Sequence, residues 1–335
     1  MNEKKYVAGA LNLLETLDLS EESRVLVISS ESKTEMALYI LEALKEKEIK
    51  DVLYTVLPKI FRPITALPTP LKGAAMNSDA VVYLVNRISE ENFTFNRPLQ
   101  QVCVENRTKY VYLYDPKDEY FIQGIAANNQ AVRNKALRIK ELLEKTASLR
   151  VTSKLGTNLT FSLYTHNIMP RSPIFNEGFY WNQSPEGEVM SCPKETSFNG
   201  TMVIDGVATG MGEPSRPIRW EFKDGVVTDV SGDESYLEQL LELLVKSDQR
   251  VNSFKGMWIA ELSIGCNDWA VFDDNISNCE KVSGGVHFAM GNSEGLGVDR
   301  GETYHFDNIM KTPSISLLLD NGKEIRLIEE GQLLI

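Results

Sequence analysis

The sequence holds only three histidines, and two of them fall close together near the C-terminus. Ser283-Gly284-Gly285-Val286-His287-Phe288-Ala289-Met290-Gly291 carries the first, and Tyr304-His305-Phe306-Asp307-Asn308 carries the second in a His-x-Asp spacing. In a strand, residues two apart point to the same face, so His305 and Asp307 can aim an imidazole and a carboxylate at one point. His287 lies in another apolar segment with strand character, and the Gly-rich stretch between the two allows them to lie side by side. Two imidazoles and a carboxylate are the minimal set for a zinc, cobalt or non-haem iron centre that keeps open positions. The remaining histidine, His166, has no such company and reads as an ordinary core or surface residue.

Two glutamates add to this set. Glu261 sits inside the apolar run Met257-Trp258-Ile259-Ala260-Glu261-Leu262-Ser263-Ile264-Gly265, where an unpaired carboxylate would be costly. It requires a partner, which a lysine, an arginine or a metal would supply. Glu188 follows Gly187, which suits a carboxylate aimed from a tight turn, although taken alone it reads as solvent-exposed.

The elements that must position these residues change character along the chain. Residues 24–30 form a continuous apolar and β-branched run, followed by a helical pattern with Met36, Leu38, Ile40, Leu41 and Leu44 and another apolar run at 52–57. The pattern returns at 80–85 and 110–114, which predicts an N-terminal doubly wound α/β domain. The turn after the first run, Ser29-Ser30-Glu31-Ser32-Lys33-Thr34, has no glycine to let backbone approach a pyrophosphate. It reads instead as a helix start capped by Ser30 or Ser32. Residues 58–70 are proline-rich and read as a long loop, and a charged helix spans about 128–146.

After Leu149 short strands and Gly-punctuated turns take over, which places a domain boundary near residue 148. The expected organisation is an α/β support domain over 1–148 and a β-rich α+β metal-binding domain over 149–335. Asp224-Gly225 between alternating runs is a hairpin signal, and one helix interrupts the strands at about 234–246.

Composition bounds the function. With 335 residues, 42% hydrophobic and 24% charged, and a mean hydropathy of -0.22, the chain reads as globular. A net charge of -12 argues against nucleic-acid binding, because no basic surface offsets it. The N-terminal Met1-Asn2-Glu3-Lys4-Lys5 leads into an amphipathic segment rather than a secretory signal, and no run suggests a membrane span. Cys103, Cys192, Cys266 and Cys279 are scattered and read as reduced, buried thiols of a cytoplasmic protein.

One ordered set of segments resembles the aminopeptidase T and aminopeptidase S metallopeptidase family, with its thermophilic metalloprotease-like fold. The segments are Gly-Thr-Asn-Leu-Thr (156–160), Pro-x-Gly-Glu-Val (185–189), Gly-Thr-x-Val-Ile-Asp (200–205) and Phe-Lys-Asp-Gly-x-Val (222–227). Glu-Leu-Ser-Ile-Gly (261–265), Gly-Gly-Val-His-Phe-Ala-Met-Gly (284–291) and His-Phe-Asp (305–307) continue it. The resemblance implies a homodimeric metal-dependent hydrolase that removes N-terminal residues from peptides. Its ligands for zinc, cobalt or manganese would be Glu188, Glu261, His287, His305 and Asp307. A spare carboxylate, with Glu186, Glu280 and Glu294 as candidates, would move the proton. Where that family has a further ligand glutamate this chain has Val282, with Glu280 nearby, and Glu294 stands in place of a family tyrosine.

The chain is also similar, more distantly, to 2,5-dihydroxypyridine dioxygenase. That resemblance implies a mononuclear iron centre using His305 and Asp307, with the enzyme's remaining iron histidine falling at Ser263. The corresponding reading of this chain uses His287, His305 and Asp307 as a facial triad, supported by Glu261. A third expectation is a non-catalytic relative that binds a small ligand or partner protein.

Overall fold

The computed structural model describes residues 3–335; the first two residues of the N-terminal segment read above lie outside the described residues. Helix α1 (Glu3–Glu15) precedes β1 (Arg24–Ser30), α2 (Thr34–Glu46), β2 (Asp51–Leu57), α3 (Thr69–Met76), β3 (Ala80–Val85), α4 (Arg97–Glu105) and β4 (Lys109–Tyr114). Helix α5 (Asn129–Glu144) leads to β5 (Thr146–Thr152), β6 (Asn158–Phe161), β7 (Met169–Arg171), β8 (Trp181–Gln183), β9 (Glu188–Ser191) and β10 (Asn199–Ile204). The hairpin β11 (Ile218–Lys223) and β12 (Val226–Ser231) follows, then α6 (Glu234–Ser247), β13 (Ile259–Gly265) and α7 (Ile276–Cys279). Strands β14 (Val286–Gly291), β15 (His305–Met310), β16 (Ser314–Leu319), β17 (Glu324–Glu329) and β18 (Gln332–Leu333) complete the chain.

Two compact units result, Met1–Ala131 with Ser172–Glu186, and Val132–Arg171 with Gly187–Ile335. The first contains a parallel sheet in the order β2-β1-β3-β4-β8. Alternation explains why its strands read as unbroken apolar runs, because each buries both faces. Val25, Val27, Val82 and Leu84 join one core with Leu13, Leu14, Ile40 and Leu44 of α1 and α2. Leu26, Ile28, Val81, Tyr83 and Val85 join the other with Ala75 and Leu99 of α3 and α4. This is the doubly wound arrangement expected from the sequence. Ser30 and Ser32 do not cap the following helix with their side chains; both hydroxyls donate to Asn86 Oδ1 instead, across the strand ends.

The second unit has two sheets. One runs β12-β11-β10-β6-β5-β16-β17-β18 and the other β15-β14-β13-β9-β7, with antiparallel pairing between neighbours. Asp224 and Gly225, at φ 50° and 80°, make the left-handed turn that the β11–β12 hairpin requires. An aromatic layer lies between the sheets. Phe288 of β14 meets Phe198 at 5.8 Å and Phe161 of β6 at 6.1 Å, and Phe306 of β15 meets Trp220 of β11 at 6.0 Å between ring centroids. Each such ring contributes roughly 2–3 kcal/mol by leaving water, which fixes one face of the five-stranded sheet inward. Strand parity then commits the alternate residues to the opposite face.

All four cysteines are free and buried. No helix among the described residues is long and apolar enough to cross a membrane.

Candidate metal centre

The face of the five-stranded sheet turned away from the aromatic layer carries the candidate residues. Register places Ser263 of β13 opposite His287 of β14, Asp307 of β15 opposite Ala289, and His305 opposite Gly291. A small residue on the adjacent strand therefore faces each of these polar side chains and leaves it room. Gly291 is held at φ 105°, and a Cβ there would lie 2.3 Å from the carbonyl oxygen of Tyr304, so no larger residue fits. Glu261 comes from the start of β13 beside a bulge, and Glu188 opens β9 opposite Gly265.

These side chains converge. His287 Nε2 lies 3.3 Å from Glu261 Oε1, 3.8 Å from Glu188 Oε2 and 3.8 Å from Asp307 Oδ1. His305 Nε2 lies 3.2 Å from Asp307 Oδ1 and 3.7 Å from Glu261 Oε2. Glu280, just beyond α7, brings a carboxylate oxygen within 4.8 Å of donor atoms on His287 and Asp307. Glu188, Glu261 and His287 are at most 5% exposed, so water does little to screen this concentration of charge.

Further residues hold the donors in place. His305 Nδ1 lies 2.6 Å from the carbonyl oxygen of Asn292; donating there, it leaves the Nε2 lone pair for the cluster. Thr209 donates to Asp307 Oδ2 at 3.1 Å and accepts from the Asp307 backbone N–H at 2.9 Å. Ser263 donates to Glu188 Oε2 at 3.0 Å, while Lys281 contacts Glu188 Oε1 and lies 3.2 Å from Glu280 Oε2. Arg171 stands opposite Glu188 in the β7–β9 register and is also buried.

Protein groups alone perturb the site's acids and bases. Burial opposes the charged form of His287, but its hydrogen bond to Glu261 and the charges of Glu188, Asp307 and Glu280 outweigh it and push the imidazole up to about 9. His305, with its side chain 35% exposed, is only partly desolvated, and Asp307, Glu261 and the Asn292 carbonyl push it up to about 10. Burial raises Glu188 and Glu280 against the pull of Lys281. Asp307 is lowered, because His305, His287 and Thr209 overcome its burial.

The donor set fits a divalent cation. Two atoms each about 2.1 Å from one ion lie about 3.0–3.4 Å apart; the His287–Glu261 and His305–Asp307 pairs fall in that range, and among the described residues Glu280, His287 and Asp307 each offer an atom within 4.8 Å of the others, close enough to surround one ion. His287 Nδ1 is buried with no hydrogen-bond partner among the described residues, so it is the Nε2 side of the ring that the surrounding groups engage. Four carboxylates gather around two imidazoles and the Lys281 ammonium, with buried Arg171 opposite Glu188, a concentration of oxygen and nitrogen donors suited to a divalent cation.

The sequence-derived candidates are distributed as follows. Glu188, Glu261, His287, His305 and Asp307 are brought together, and Glu280 joins them. Glu188 is buried rather than exposed, because Gly187 sits at φ 145° where a Cβ would meet Asn267 and Val132 at 2.8 Å, drawing the start of β9 inward. Glu294 is exposed on a short helical turn and has no ion pair among the described residues. Glu186 is buried in the first unit, among residues that include Gln183, Ser184 and Asn129. His166 is exposed and lies edge-on to Tyr164. Lys281, Thr209 and the Asn292 carbonyl escaped the sequence reading, since nothing in their local spacing marks them.

Fold and site together define a protein that combines a parallel α/β unit with a sheet-borne cluster of imidazoles and carboxylates able to hold a metal ion. The chain belongs to the NicX family, 2,5-dihydroxypyridine 5,6-dioxygenase, whose model matches residues 13–334. In fold it is similar to 2,5-dihydroxypyridine dioxygenase from Pseudomonas putida KT2440, with a TM-score of 0.71 and 19% identity over 99% of this chain and 97% of that one. It is similar also to wild-type AmpT from Thermus thermophilus, with a TM-score of 0.69 and 12% identity over 99% of this chain and 100% of that one. No curated protein matches the sequence. The family match therefore favours the dioxygenase resemblance over the aminopeptidase one, whose support is the shared fold.

Proposed function

We propose that the protein is a mononuclear iron-dependent dioxygenase that opens a dihydroxylated nitrogen-containing aromatic ring. His287, His305 and Asp307 would hold the metal. The observation that supports this reading is the approach of both His287, at 3.8 Å, and His305, at 3.2 Å, to Asp307 on one sheet face, in a chain of the dihydroxypyridine dioxygenase family. Two imidazoles and one carboxylate leave open positions for substrate and oxygen. Ferrous iron bound there would supply oxygen activation and a place for the substrate's hydroxyl oxygens. The ring supplies the electrons that reduce dioxygen, both oxygen atoms enter the product, and one ring carbon–carbon bond breaks, so no external reductant is needed.

The chain's own groups have defined parts in this account. Asn292 holds the tautomer of His305, and Thr209 orients Asp307. Glu261, between the two imidazoles, takes the proton of a substrate hydroxyl as that oxygen becomes anionic. The test is oxygen uptake by protein loaded with ferrous iron, given 2,5-dihydroxypyridine. Uptake coupled to loss of the aromatic absorbance supports the reading, and an iron-loaded protein that leaves both unchanged refutes it.

The second reading is an aminopeptidase-like hydrolase using zinc, cobalt or manganese. It is favoured by the excess of carboxylates, since Glu188, Glu261 and Glu280 all border the histidines. In that chemistry Glu280 is the base that takes a proton from water. Release of free amine from amino-acid amides by metal-loaded protein would support it, and a loaded protein inert toward the whole panel would remove it.

A further inference from the structure

We propose that the Lys281 ammonium occupies the place a second cation would take, and so limits this centre to one metal ion. The inference rests on the metal-centre reading above and deepens it by fixing how many ions the site accepts.

Lys281 is 2% exposed and sits between two carboxylates. Its Nζ contacts Glu188 Oε1 and lies 3.2 Å from Glu280 Oε2. The second oxygen of Glu188 accepts from Ser263 at 3.0 Å, so both of its oxygens are engaged by protein donors. Glu261 is arranged differently. Its oxygens face imidazoles, at 3.3 Å from His287 and 3.7 Å from His305. Glu261 and Asp307 thus face the imidazoles, whereas Glu188 and Glu280, which also lie near His287, share the Lys281 ammonium.

The backbone keeps Lys281 there. Its N–H donates to the Asn278 carbonyl at 3.1 Å in the turn that ends α7, and its carbonyl accepts from the Asn267 N–H at 2.9 Å. Adjacent carboxylates, buried at Glu188 and half-buried at Glu280, are favoured by a cation or a proton between them. An ammonium supplies that charge with hydrogen bonds alone, and a divalent ion on the same side would have to displace it. The carboxylate excess that suggests a two-metal hydrolase is in this way partly neutralised from within.

The test is metal counting, which needs no turnover. Wild-type protein is saturated with manganese(II), freed of excess by gel filtration, and assayed for manganese per chain and by electron paramagnetic resonance. One ion per chain with an isolated-ion spectrum is expected. Lys281→Met should then take up a second ion and show an exchange-coupled pair, whereas Lys281→Arg should remain at one. Two ions in the wild type, no retained ion, or a folded Lys281→Met that still takes one would overturn the inference. If Lys281→Met does not fold, the wild-type spectrum decides: an isolated ion supports the inference and a coupled pair refutes it. A protein that binds one manganese yet consumes no oxygen when loaded with iron would refute the oxygenase reading and leave this one standing.

Discussion

Ser263 and His287 are register partners on adjacent antiparallel strands, and both contribute to the same cluster from one face of the sheet. The dioxygenase resemblance assigns an iron histidine to the position of Ser263. Here the imidazole is carried one strand over, while the hydroxyl at Ser263 is free to orient Glu188. His287→Ala should therefore lower metal affinity by about a hundredfold or more, beyond the 10–100-fold effect of removing a residue that merely orients a ligand. Equilibrium dialysis against manganese or zinc measures this, with circular dichroism to confirm the fold. An affinity unchanged within about threefold would remove His287 from the ligand set.

Thr209 grips Asp307 at both the carboxylate and the backbone N–H, and would act through it on a bound metal. Thr209→Val keeps the shape and loses the hydroxyl. It should cost about 10–100-fold in metal affinity and about 1 kcal/mol in stability. Dialysis and urea unfolding read the two effects separately, and loss of stability with full affinity would mean that the hydroxyl serves the fold alone.

The histidines give the site a definite pH dependence. His287 at about 9 and His305 at about 10 both lie above the ordinary imidazole value of 6.5. Without metal, the stability they contribute is fully present below about 6.5 and is lost as pH rises through 9 to 10. Metal binding runs the other way, because neutral imidazoles are the ligands and protons must leave. The melting temperature of metal-free protein should fall between pH 7 and 10, while the shift produced by added metal should grow from pH 6 to 9. Calorimetric scans at fixed ionic strength test this; a metal-free melting temperature that rises over the alkaline range would contradict the pairing.

Gly187 sets the position of Glu188. Gly187→Ala would place a methyl group against Asn267 and Val132 at a backbone conformation that L-residues rarely adopt. The expected cost is about 1–3 kcal/mol in urea unfolding, with weaker metal binding as β9 shifts. A neutral substitution would mean that the segment relaxes without loss.

Much of this site was legible in the sequence because strand parity is a strict rule. The spacing of His305 and Asp307 put both on one face, and a carboxylate inside the apolar run of β13 implied partners for Glu261. Hydrophobic runs likewise identified β1 to β4 and the doubly wound unit. What stayed hidden depends on tertiary closure. Glu188 looked exposed because the close approach of Gly187 to Asn267 joins residues about 80 positions apart. Lys281 carries no signal in its own segment, and its meaning comes from Glu188 on a strand remote in sequence. The return of residues 172–186 to add β8 to the first sheet follows an excursion through β5 to β7, which local patterns do not report.

The measurement that bears most directly on the oxygenase account is the fate of isotopically labelled dioxygen. Protein loaded with ferrous iron would be mixed with 2,5-dihydroxypyridine under oxygen-18, and the ring-opened product analysed by mass spectrometry. The account predicts that both atoms of one labelled dioxygen molecule appear in the product, and that His305→Ala forms none. Labelled oxygen absent from any product, with iron bound at one per chain and the substrate intact, would contradict it.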